Sequence, residues 1–201
     1  MTPRFLRHAF VTLFLTLMLA PAIGQTAALD IDQLMQRLAQ TRSDRATFVE
    51  KKFIAILDKP VESSGELFYT APDRLEKRTL KPKLESMTVD GGMLTIERGR
   101  QKHRVQLQDY PELAAFIDSI RGTLAGDRKA LERSYRLALD GTPEQWTLTL
   151  QPTQEKMQAM IKSIRMMGLR DTVRSIEIFQ ADGDRSLMLI DKAPSTVAPA
   201  P

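Results

Sequence analysis

The sequence predicts a mainly β protein, an antiparallel meander of short strands covered by a helical insertion. Three observations carry this. Apolar residues alternate with polar ones in short runs over residues 46–108 and again over 135–191. Pro, Gly and Asp turn chemistry separates those runs at regular intervals. Between the two strand sets, residues 111–132 switch to helical spacing.

Taken in order, Ile31, Leu34, Met35 and Leu38 fall on one stripe of an amphipathic helix, with Asp30 as its N-cap. Thr41-Arg42-Ser43-Asp44 ends it. Residues 46–57 carry Phe48, Val49, Phe53 and Ile54 and read as a strand closed by Lys59-Pro60. Residues 62–70 form a second strand, with Gly65, Leu67 and Tyr69 on one face. Ala71-Pro72-Asp73 turns into a third, 74–80, which Lys81-Pro82 stops. Residues 84–89 and 93–97 flank Asp90-Gly91-Gly92, a hairpin signal because glycine accepts positive φ. Residues 103–108 follow.

Residues 111–124 place Leu113, Phe116, Ile117, Ile120 and Leu124 at helical spacing, with Pro111 in the first turn. Gly126 ends this helix, and Asp127 caps a short one running through Glu132. Strands resume at Tyr135-Leu137-Leu139 and Trp146-Leu148-Leu150, around Asp140-Gly141-Thr142-Pro143. Residues 158–167 fit two patterns. Met157, Met160, Ile161 and Ile164 suit a helix, whereas the strand context and Gly168 favour a strand, which is the reading adopted. Residues 172–180 and 185–191 are strands joined by Ala181-Asp182-Gly183-Asp184. The total is about eleven strands and two or three helices in one domain, residues 29–192.

The termini lie outside that domain. Residues 1–28 begin with Arg4 and Arg7, continue through an apolar run at 9–20, and end in small residues. This is the pattern of a secretory signal peptide, with cleavage after Gly24 or Ala28. Residues 193–201 are rich in Pro and Ala and are expected to be disordered. An exported protein of the periplasm is expected.

Composition narrows the function. There is no cysteine, so neither a disulfide, a thiolate metal site nor an acylated N-terminal cysteine is available. Losing residues 1–24 removes two arginines and no acid, so the formal charge falls from +4 to +2. The basic residues are dispersed, which argues against a nucleic-acid partner. Gly99-Arg100-Gln101-Lys102-His103-Arg104 is the densest basic spot, and a solvated hairpin accounts for it. Catalysis is not indicated. His103 is the one histidine beyond residue 28, and it sits among cations. No Gly-x-Ser-x-Gly elbow, Walker loop or dinucleotide fingerprint occurs. Asp182-Gly183-Asp184 reads as a turn, and no metal or cofactor is expected. Eight of the ten methionines lie beyond the leader. Their flexible thioethers suit either core filling or a surface that accepts apolar ligands of variable shape.

Several stretches together resemble a known family. They are Ala46-Thr47-Phe48-Val49-Glu50-Lys51, Ser64-Gly65-Glu66-Leu67-Phe68-Tyr69, Pro72-Asp73-Arg74-Leu75 and Val89-Asp90-Gly91-Gly92-Met93-Leu94. Leu148-Thr149-Leu150-Gln151-Pro152 and the hairpin at 176–184 follow in the right order. The pattern resembles the periplasmic outer-membrane lipoprotein carriers, the LolA-like family. Leu124-Ala125-Gly126-Asp127 is similar to a divergent branch of it, whose members accompany envelope lipid or aryl-polyene pigment synthesis.

The resemblance implies an unclosed antiparallel β half-barrel of about eleven strands, with helices over its concave apolar side. It implies a monomeric carrier that takes acyl chains of a lipoprotein or other envelope lipid from an inner-membrane donor to an outer-membrane acceptor. The implied cavity and lid residues are Phe48, Leu67, Leu75, Leu94, Leu113, Phe116, Ile117 and Ile120. Leu75 matches a position that is usually aromatic, and Thr95-Ile96-Glu97 replaces an aromatic run. Ala71 stands where the best-known carriers have an arginine that ties the lid to the sheet. Arg74 is near but on a different strand position. Without that arginine, lid closure is expected to rest on the apolar residues of 113–120. The alternative is a non-catalytic envelope interaction or assembly module of the same fold. The two differ in the interior, hollow for a carrier and filled for an interaction module.

Overall fold

A computed structural model describes residues 29–192; the expected signal peptide, 1–28, and the expected disordered tail, 193–201, lie outside the described residues. One antiparallel sheet of eleven strands forms the body. Helix α1 (Ile31–Leu38) opens it, capped by the Asp30 carboxylate, which accepts from the Asp32 N–H. Strands β1 (Ser43–Phe53), β2 (Val61–Thr70), β3 (Arg74–Lys81), β4 (Glu85–Asp90), β5 (Met93–Arg98) and β6 (Gln101–Gln106) form a continuous meander. A 3₁₀ turn, Leu107–Asp109, leads into helices α2 (Pro111–Leu124) and α3 (Arg128–Glu132). The chain then returns through β7 (Tyr135–Gly141), β8 (Gln145–Pro152), a helical turn α4 (Glu155–Gln158), β9 (Ile161–Leu169), β10 (Thr172–Gln180) and β11 (Arg185–Lys192).

The spatial order runs β6-β5-β4-β3-β2-β1-β11-β10-β9-β8-β7. β1 is therefore central, paired with β2 on one side and β11 on the other. β6 and β7 are consecutive in sequence yet occupy opposite edges, so the sheet stays unclosed. The segment joining them contains α2 and α3, and this connection places the helices across the concave face.

The strand expected over 103–108 ends at Gln106, where the chain turns into the 3₁₀ segment Leu107–Asp109, and two further differences from the sequence reading have simple causes. β1 ends at Phe53, and the residues expected to extend it to 57 form turns in which Ile56 is 90% exposed, with no strand to pair with. The ambiguous segment around 158 is both things in succession. Glu155–Gln158 makes one helical turn that buries Met157, and β9 then buries Ile161, Ile164 and Met166 on one face.

The concave face divides into two halves. Over β7–β10, Trp146, Leu148, Leu150 and Ile164 are sealed by Leu34, Met35 and Leu38 of α1 and Leu131 of α3. Two glycines permit this density. A Cβ on Gly168 would sit 2.1 Å from the Trp146 ring, and one on Gly126 would sit 2.1 Å from the Met35 carbonyl where α1 meets the end of α2. Gly126 also has φ +65°, a conformation few other residues accept. Over β3–β5 a smaller cluster forms, Val89, Leu94, Leu107 and Ile117. Much of the apolar surface between these clusters is left uncovered.

Candidate functional site

That uncovered surface lines a cavity of about 550 Å³ beneath α2. Its walls are the inward residues of the central strands. Registry places Ala46, Leu67 and Lys77 side by side across β1–β3, and Tyr69, Leu75, Val89 and Leu94 across β2–β5. Ile176, Met188 and Ile190 supply the wall on β10 and β11. Leu113, Phe116, Ile117 and Ile120 of α2 form the roof.

Seven of the eight residues expected at the site therefore meet at one cavity: Leu67, Leu75, Leu94, Leu113, Phe116, Ile117 and Ile120. Phe48 does not reach its surface. It points to the concave side but is 2% exposed, and the Lys77 ammonium lies 4.8 Å above its ring. Phe48 thus underlies a wall whose exposed surface is Lys77. Of the eight methionines beyond residue 28, Met87, Met157, Met160, Met166 and Met188 line the cavity, and Met35 belongs to the sealed core.

The lid is held by more than apolar contact. Arg121, near the C-terminal end of α2, donates from Nη1 to the Gly91 carbonyl at 2.6 Å and to the Asp73 carbonyl at 3.5 Å. Its other guanidinium nitrogen pairs with Asp118, one turn earlier. An arginine on the helix thus reaches the carbonyls of two sheet turns, the reverse of an arginine in a sheet turn reaching the helix. Arg74 is engaged elsewhere, 2.5 Å from Asp90. On the other flank the Tyr135 hydroxyl donates to the Ala115 carbonyl at 3.2 Å, and burial pushes that phenol up to about 12. α2 is tied to both halves of the sheet.

Sequence reasoning missed three polar members of the site. Arg121 has the look of a solvent-facing helical arginine paired with Asp118 at i+3. Glu50 and Lys77 line the cavity together, 2.5 Å apart, although they lie on strands separated by β2. The signal for this pair was charge at inward positions, Glu50 in phase with Ala46 and Phe48 and Lys77 in phase with Leu75. Among the described residues, no His/Cys/Asp/Glu group is arranged to hold a metal ion.

The family model for outer membrane lipoprotein carrier protein LolA-like domains matches residues 23–200. The chain belongs to this family. Among solved structures, a LolA superfamily protein from Nitrosomonas europaea is similar at 9% identity, over 83% of this chain and 95% of that one, with a TM-score of 0.43. MucB of Pseudomonas aeruginosa in its MucA/MucB complex is similar at 17% identity, over 84% of this chain and 59% of that one, with a TM-score of 0.46. The lipoprotein LppX of Mycobacterium tuberculosis is similar at 6% identity, over 83% and 97%, with a TM-score of 0.42. No curated protein matches the chain. No described helix is long and apolar enough to cross a membrane.

Proposed function

We propose that this LolA-like protein is a periplasmic, non-catalytic carrier that shields acyl chains of a lipoprotein or another envelope lipid during transfer toward the outer membrane. The observation that carries this is the hollow under α2, about 550 Å³ and lined mainly by leucine, isoleucine and methionine. Its size lies in the range of small-molecule sites, roughly 300–1,000 Å³. Each methylene buried there contributes about 0.8 kcal/mol, so an ordinary acyl chain is bound without covalent chemistry. An interaction module of the same fold has no use for such a hollow, which favours the carrier reading. Donor and acceptor proteins are implied, since a cargo buried beneath a tied lid must be loaded and stripped.

Two measurements test the proposal. Mass spectrometry of lipids extracted from protein purified from the periplasm without detergent is expected to show one enriched, stoichiometric acylated species. A folded protein with none would overturn the carrier reading. Phe116→Glu, which places a charge in the cavity roof, is expected to abolish that retention while the circular dichroism spectrum is kept.

A further inference from the structure

Several charged side chains border the cavity but keep contact with solvent. One does not. Glu50 is 5% exposed, the only fully buried charge among the described residues. It projects from β1 into a cavity whose lining is mainly Leu, Ile and Met but also includes Asp44, Glu76, Glu112 and Asp171. Its Oε1 accepts from the Ser186 hydroxyl at 2.7 Å. Its Oε2 accepts from Lys77 Nζ at 2.5 Å and from the Ser63 hydroxyl at 3.4 Å. Lys52 Nζ lies 4.0 Å from Oε1.

A buried ion pair is a poor way to stabilise a fold, because desolvation offsets most of the attraction and apolar residues of similar volume do as well. Its presence in a greasy cavity wall asks for another reason. The unused valence of the cluster supplies one. Both carboxylate oxygens are engaged, so Glu50 has little left to offer a ligand. Lys77 has three N–H donors and gives one to Glu50. Its side chain is 25% exposed and lines the cavity, and the neighbouring Lys52 is 54% exposed and also lines it. Within this cluster two cations face one anion, which leaves Lys77 and Lys52 with free N–H donors; the other acids lining the cavity, Asp44, Glu76, Glu112 and Asp171, are bonded to neither lysine.

Position adds to charge. The α2 roof packs against Leu75, Val89 and Leu94, at the turn end of β3–β5 to which Arg121 is tied. Glu50 and Lys52 lie well along β1 from that end, where Ser43 pairs with Thr70. The cavity is therefore apolar where Leu75, Val89 and Leu94 meet α2, and the lysine ammonium groups gathered at Glu50 stand further along β1. Building on the acyl-chain reading, we propose that Lys77 and Lys52, oriented by Glu50, form a headgroup subsite for the anionic end of a lipid, a carboxylate or phosphate, whose tail lies under α2.

The test uses the purified, delipidated protein and four probes: hexadecyl phosphate, hexadecanoate, hexadecanol and inorganic phosphate, with affinities from calorimetry. Both anionic amphiphiles are expected to bind about tenfold tighter than hexadecanol, the factor one charge-assisted hydrogen bond supports. The double variant Glu50→Gln/Lys77→Met removes the pair without orphaning a buried carboxylate, and is expected to bring that ratio to near one. If it does not fold, Lys52→Gln, on an exposed side chain, carries the test with a ratio lowered about twofold. A wild-type ratio near one, or a ratio unmoved by the variant that folds, would overturn the subsite and leave the carrier reading intact. Binding of none of the three amphiphiles would overturn both. Inorganic phosphate binding as tightly as hexadecyl phosphate would replace the lipid headgroup with a free anion.

Discussion

The two halves of the concave face are built from the same kind of residue and do opposite things. In β8 and β9, Leu148 and Ile164 are both 0% exposed, sealed by α1 and α3. In β2 and β3, Leu67 and Leu75 point to the same side of the same sheet but are only half-buried and face the hollow. The strands do not make this difference; helix docking does. α1 presents Leu34, Met35 and Leu38 as one apolar stripe and closes the first half, whereas α2 packs on the second mainly through Leu113, Phe116 and Ile117 at the β3–β5 end and leaves the cavity beneath it. One half serves as the stable anchor, which leaves the other free to stay open.

The largest expected effect follows directly. Leu148→Ala deletes side-chain volume from a sealed site and is expected to cost about 2–5 kcal/mol of unfolding free energy. Leu67→Ala, in a wall that already faces open space, is expected to cost about 1 kcal/mol. Denaturant titrations of the two variants check this. Equal losses would mean that the second half is packed as tightly as the first and that the hollow does not persist in solution.

A middle-sized effect concerns the lid that spans the halves. Arg121→Gln removes the charge-assisted bonds to the Gly91 and Asp73 carbonyls, worth about 1.5–3 kcal/mol. The Tyr135 hydroxyl still holds Ala115 on the sealed side. Amide hydrogen exchange is therefore expected to speed up over the C-terminal half of α2, toward Leu124, while the core strands β8 and β9 keep their protection. Uniform loss of protection would show that Arg121 supports the whole fold and not the lid alone.

Much of this molecule was legible in the sequence because alternation and turn chemistry report strands directly. The Asp90-Gly91-Gly92 hairpin and the helical spacing of Leu113, Phe116, Ile117 and Ile120 both stand in the structure as read. What alternation cannot report is whether an inward position is covered. Leu148 and Leu67 give the same signal, and only the docking of α1 separates them. Phe48 shows the same limit, since an aromatic at an inward position reads as cavity wall until Lys77, from two strands away, is found lying over its ring. The polar members were hidden for a related reason. Arg121 acts on carbonyls 30 and 48 residues distant, and backbone carbonyls leave no trace in a sequence. α4 was blurred because one helical turn of four residues is too short to show a period, and its buried Met157 merged into the pattern of β9.

The smallest expected effect sharpens the contrast from the electrostatic side, because the sealed half buries no charge and the hollow half buries Glu50. Burial works to raise the Glu50 carboxyl, but the Lys77 ammonium beside it, with the bonds from Lys77 and Ser186 and the charge of Lys52, holds it below the usual carboxylate range. Since the folded value is lower than the unfolded one, the ionised carboxylate favours the fold at neutral pH over its protonated form. That contribution fades as pH falls through the folded value, in a window below about pH 5. In Glu50→Gln the position no longer titrates, so its melting temperature is expected to fall less steeply with acid than that of the wild type. Parallel acid limbs would mean that Glu50 ionises as an ordinary exposed carboxyl. The ion pair with Lys77 would then add no net stability to the fold.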